Sequence, residues 1–93
     1  MGLAEHRREI EEIDAEIIQL IARRLQEAKR IFLVKRAEGT EISDPEQETL
    51  VLRRAMDSAT ELGLDAGAVR DIFEILIAMS LEKQKELSGR EQG

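Results

Sequence analysis

Residues Leu3 to Glu38 read LAEHRREIEEIDAEIIQLIARRLQEAKRIFLVKRAE, and this stretch decides the fold. It contains no Pro and no Gly, its apolar residues return every three or four positions, and Gly39 follows as a left-handed stop. The pattern predicts one unbroken helix, a rod of about 50 Å at ~1.5 Å per residue. A compact chain of 93 residues has a radius of gyration near ~12 Å and a diameter near ~30 Å. The helix must therefore project beyond its own chain's core. Yet its apolar stripe runs on through Leu25, Ile31, Phe32 and Val34. An apolar face of that reach needs a cover, and a second copy of the chain is the simplest one. Folding the rod back on itself would need a kink, and the stretch has neither Pro nor Gly to make it. The sequence predicts a dimer.

Outward from this helix, Gly39-Thr40-Glu41-Ile42-Ser43 reads as a loop. Asp44-Pro45-Glu46-Gln47 then opens a second helix, with an acidic N-cap, Pro at the first helical position and Glu in the first turn. Leu52, Ala55, Met56, Ala59 and Leu62 keep its helical spacing up to Gly63. Asp65 caps a third helix carrying Val69, Ile72, Phe73, Leu76, Ile77 and Leu87, and residues 88–93 read as a frayed tail. No segment alternates with period two, so the chain is all-α: a single domain over residues 1–93, with three helices per protomer and a long first helix.

Composition narrows the function. Twenty acidic against 14 basic residues give a net charge of -6, which argues against nucleic acid or an anionic membrane as partner. The only aromatic side chains are Phe32 and Phe73, too few for base-stacking platforms. The absence of Cys excludes disulfides, thiolate metal sites and a cysteine nucleophile, and fits a cytoplasmic location. No apolar run approaches the roughly 18 residues of a membrane span. The first residues form no signal-peptide core, and His6 breaks the myristoylation pattern. No His or carboxylate cluster has metal-ligand spacing, and no catalytic triad or phosphate-binding glycine loop is present.

The first helix carries charge where it should carry apolar residues. Written as heptads, one seam row is Arg7, Asp14, Ile21, Ala28 and Lys35, and its companion is Ile10, Ile17, Arg24 and Ile31. Arg24 and Lys35 lie almost three whole turns apart and share a face. Arg7 stands about 25 Å before Arg24 at ~1.5 Å per residue, so it meets them only across an antiparallel partner helix. Elsewhere, Asp44 and Glu48 are spaced i, i+4 at the start of the second helix. Ser80 and Gln84 continue the apolar stripe Val69, Phe73, Leu76 of the third. Each has an ordinary structural reading: seam cations can fix register, Asp44 is an N-cap onto which Gln47 can close, and Ser80 can bond its own helix. A Gln near a helix end is exposed by default, and Glu11, Glu12, Glu16 and Glu27 read as a solvated face. Isolated buried charges are nonetheless costly unless paired or facing a ligand.

The ordered series is more specific than its members. Arg7-x6-Asp14, Arg24, Lys35, Asp44-Pro-x-x-Glu48 and Ser80-x3-Gln84, spread from about Leu3 to Leu87, closely resemble the all-helical class of chorismate mutase. Ile13-Asp14-Ala15-Glu16-Ile17, Leu20-Ile21-Ala22-Arg23-Arg24 and Ile42-Ser43-Asp44-Pro45-Glu46 are similar to stretches of that family. The resemblance implies an intertwined homodimer of three-helix protomers that converts chorismate to prephenate on the way to phenylalanine and tyrosine, without a cofactor or a metal. It implies that Arg24, and Arg7 from the other subunit, clamp the substrate carboxylates with Ser80 assisting. Lys35 and Gln84 then donate to the ether oxygen, and Asp44 and Glu48 meet the hydroxyl. The apolar walls fall to Ile31, Val51, Ile77 and Leu81. Gln47 departs from the Arg usual in the family, so either Arg53, Arg54 or Lys83 compensates or the substrate binds more weakly than is usual there, and Phe32 is larger than the residue common there. A related isochorismate–pyruvate lyase shares the fold and cation set, and a helical dimerisation module without catalysis would keep the shape alone.

Overall fold

The structure, a computed structural model, describes residues 2–92, with side chains as far as 89. It consists of α1 (Leu3–Glu38), α2 (Pro45–Glu61) and α3 (Ala66–Gln92), with no strand among the described residues. The predicted all-α protomer with a long first helix is what forms. α1 is unbroken over its 36 residues, and the longest dimension of the molecule, 55 Å, is the length of that rod.

Each boundary follows from local chemistry. At the start of α1 the Glu5 carboxylate accepts from the Gly2 amide at 2.6 Å, half of a capping box. At its end Gly39 takes φ 72°, and the Thr40 amide donates back to the Lys35 carbonyl at 2.8 Å, closing the turn that stops the helix. Asp44 caps α2 by accepting from the Gln47 amide, with Pro45 in the first turn. Gly63 at φ 72° ends α2, and Asp65 caps α3 by accepting from the Ala68 amide at 3.0 Å. Helical backbone then continues through Gln92, over most of the stretch that the sequence reading assigned to a frayed tail, and Gly93 lies outside the described residues. Leu87 and Ser88 are half-buried there.

α3 is the element on which both others pack. It runs parallel to α1: Arg24 reaches Ser80 and Gln84 reaches Ala28 across the same offset of 56 residues. The core is correspondingly thin. Among the described residues its buried apolar members are Ala28 and Phe32 on α1 with Ala55 and Ala59 on α2. Every described residue from Gly2 to Leu20 is exposed, the apolar seam included: Ile10 retains 57% and Ile17 49% of its accessible surface. The radius of gyration, 16.6 Å, exceeds the ~12 Å of a compact chain of this size. The first helix does project from its own protomer, as its length requires.

Candidate active site

All three helices contribute to one cavity of about 280 Å³ beside the C-terminal half of α1. From α1 come Arg24, Ile31 and Lys35; from the loop and the start of α2 come Asp44, Gln47, Glu48 and Val51; from α3 come Ile77, Ser80, Leu81 and Gln84. Every side chain singled out in the sequence for substrate contact or lining is thus present, with one exception. Arg7 sits on the exposed N-terminal part of α1, well away from these groups within the protomer.

Three donors are held ready, each braced on a backbone carbonyl. Arg24 donates through one guanidinium nitrogen to the Leu76 carbonyl at 3.1 Å and to Ser80 Oγ at 2.7 Å. Ser80 in turn donates to the Leu76 carbonyl, so its bond to its own helix and its contact with Arg24 coexist. Gln84 is 5% exposed and donates to the Ala28 carbonyl at 2.8 Å. An amide nitrogen has two protons, which leaves one free of that bond. Lys35 donates to the carbonyl of Ile42 at 2.9 Å, keeping two of its three protons for other acceptors. Burial lowers the Arg24 pKa from its ordinary value, because removing the guanidinium from water disfavours its charged form. An anionic ligand would offset that penalty.

Asp44 and Glu48 line the same cavity from the first turn of α2, where the helix N-terminus favours negative charge. Asp44 is therefore both cap and cavity wall. The ordinary alternative for Gln84, exposure near a helix end, does not hold: α3 extends past residue 84, and Gln84 continues the apolar stripe and faces α1. The candidates to compensate for Gln47 do not reach the site. None of Arg53, Arg54 and Lys83 lines this cavity; Arg53 and Arg54 border other hollows on α2.

Three contributors escaped the sequence reading. Ala28 and Glu27 stand four and three residues after Arg24, a spacing that already places them on its face. Glu27 is as solvated as its pattern suggested, yet it also forms part of the rim, where Arg30 neutralises it. Ile42 contributes a loop carbonyl, for which no side-chain pattern gives a signal. With Glu27 paired to Arg30, two cations and two carboxylates remain on the walls, a balance of zero within one protomer.

Braced cations and amide donors around an apolar slot, facing two carboxylates, suit a small anion that also carries a hydroxyl. Known proteins give the same direction. Residues 6–85 match the profile of the family described as chorismate mutase type II. The chain is 38% identical over 84 residues to a chorismate mutase of Methanocaldococcus jannaschii, an alignment covering 90% of this chain and 85% of that protein. It is 30% identical over 85 residues to the T-protein of Haemophilus influenzae, covering 91% of this chain but 22% of that protein. With most of its length matched both to the profile and to a relative of similar size, the chain belongs to the chorismate mutase type II family.

Proposed function

We infer that this protein is a chorismate mutase, rearranging chorismate to prephenate in aromatic amino-acid biosynthesis. The observation that carries the reading is the convergence of Arg24, Lys35 and Gln84 on one cavity that Asp44 and Glu48 also line. The reaction is intramolecular: the ether C–O bond breaks while a C–C bond forms, within one cyclic shift of electrons and with no net proton transfer. Neither a nucleophile nor an external acid is required. Catalysis consists of holding the compact conformer and stabilising negative charge on the departing oxygen.

In this reading Arg24, assisted by Ser80, clamps one carboxylate of the dianion through its guanidinium fork. Lys35 and Gln84 donate to the ether oxygen, a contact that strengthens as the bond breaks. Asp44 and Glu48 receive the ring hydroxyl, Gln47 borders the bound substrate as a neutral donor, and Ile31, Val51, Ile77 and Leu81 close on the ring.

Two quantities support a working unit of two chains. A dianion in a cavity of zero net charge lacks a cation, and Arg7 of a second copy supplies it. A monomer of 10.5 kDa would expose about 5,400 Å², whereas this protomer exposes 7,343 Å². The excess of about 1,900 Å² falls in the range one partner loses in an obligate homodimer. Two protomers with α1 antiparallel would cover the bare seam and carry each Arg7 towards the other's Arg24. No helix among the described residues is long and apolar enough to cross a membrane, and a cysteine-free chain fits the cytoplasm.

The test is to add chorismate to purified protein and follow its loss together with prephenate formation. Turnover well above the spontaneous rate is expected, with no pyruvate released from isochorismate. A folded dimer that leaves chorismate at the spontaneous rate would sink the reading and leave the dimerisation module. Pyruvate release as the main activity would favour the lyase.

A further inference from the structure

Arg24 and Gln84 are braced by carbonyls inside helices, at Leu76 and Ala28, where the backbone is fixed by the helix itself. Lys35 differs. Its ammonium is braced by the carbonyl of Ile42, which lies in the loop between α1 and α2. A lysine stem has four rotatable bonds, so the position of its charge depends on what holds the far end. That end is only as well placed as the loop.

The loop is tied back to Lys35 a second time. The Lys35 carbonyl accepts from the Thr40 amide at 2.8 Å and from the Thr40 hydroxyl at 3.1 Å. The same residue is therefore gripped at its backbone by Thr40 and at its ammonium by Ile42, two positions further along. The amide bond recurs at many helix ends, including Leu64 to Ala59 after α2. The hydroxyl bond is an addition particular to Thr40.

We propose that Thr40 is a positioning residue for the reaction: its hydroxyl locks the turn so that the Ile42 carbonyl meets the Lys35 ammonium and aims its remaining protons into the cavity. Thr40 itself is exposed and does not line the cavity, so it acts through Lys35 and not on the substrate. This deepens the role given to Lys35 above and rests on it. Because ether-oxygen stabilisation grows only in the transition state, a looser Lys35 lowers kcat and leaves KM nearly unchanged.

Thr40→Val keeps the shape and the amide but removes the hydroxyl; Thr40→Ser keeps the hydroxyl. Steady-state kinetics on chorismate, with thermal melts to fix the folded fraction, should show kcat reduced about three- to tenfold in Thr40→Val. KM should stay within about twofold, and Thr40→Ser should match the wild type. A residue that merely stabilised the turn would lower the melting temperature and leave kcat per folded protein intact. Wild-type turnover, together with its collapse in Lys35→Ala, establishes the reading beneath the proposal. With those in hand, an unchanged kcat in Thr40→Val, an equal loss in Thr40→Ser, or a change confined to KM overturns the clamp. Absence of wild-type turnover overturns the reaction as well.

Discussion

Lys35 and Gln84 approach the cavity with different chemistry. Lys35 brings a full charge on a flexible stem, and Gln84 brings a neutral amide that is buried and fixed on Ala28. Charge forming on the ether oxygen is met more strongly by the ammonium, so Lys35→Ala is expected to lower kcat about 100- to 1,000-fold. KM should change little, and the oligomeric state not at all. Kinetics paired with sedimentation check this; near-wild-type kcat would remove Lys35 from its role. Gln47 poses the opposite case. It borders the cavity beside Glu48 and carries no charge where the dianion is proposed to bind. Gln47→Arg adds a cation that meets ground state and transition state alike, so it should lower KM severalfold with kcat held. A fall in kcat would instead assign Gln47 a positioning task of its own.

At the scale of elements, the two interhelical turns are built alike, on a glycine at φ 72°. A Cβ at Gly39 or at Gly63 meets no atom within 4 Å, so only the backbone conformation resists substitution. Each Gly→Ala change is therefore expected to cost about 1 kcal/mol and lower the melting temperature by about 4–8 °C. Thermal melts of the two variants should agree. Their kinetics should not, because the turn at Gly39 carries the Ile42 carbonyl that braces Lys35, while the carbonyls that brace the other proposed donors, Leu76 and Ala28, lie inside helices and not in the turn at Gly63. Equal kcat values in the two variants would show that the first turn is structural only.

At the scale of the whole molecule, a 55 Å rod over a core of four buried apolar residues among those described does not close on itself. The proposed second copy makes a specific demand: each cavity draws Lys35 from one chain and Arg7 from the other. Arg7→Ala and Lys35→Ala proteins, each nearly inactive, should regain activity when unfolded together and refolded. The mixed dimer then holds one intact cavity, and random pairing leaves about a quarter of all cavities intact. An assay of the refolded mixture against each variant refolded alone reads this. No recovery, with mixed dimers present, would place Arg7 outside the cavity.

The sequence by itself determined the secondary structure and most of what lines the cavity. Helical period, the two glycine stops and the caps at Asp44 and Asp65 are local, so the chain alone carries them. Charges at seam positions marked Arg24 and Lys35 as site residues, because a packing face tolerates an ion only when something meets it. The tertiary structure decided what depends on residues far apart in the chain. Gln84, already on the apolar stripe of the third helix, found its partner in the Ala28 carbonyl because α3 runs parallel to α1. The brace on Lys35 is a main-chain carbonyl, and every residue type has one, so no pattern of side chains could reveal it. The neutral balance of the cavity within one protomer emerged only once Arg7 was found outside it, leaving Arg24 and Lys35 against Asp44 and Glu48. Periodicity records which face a side chain occupies, and only packing records which distant atom it meets.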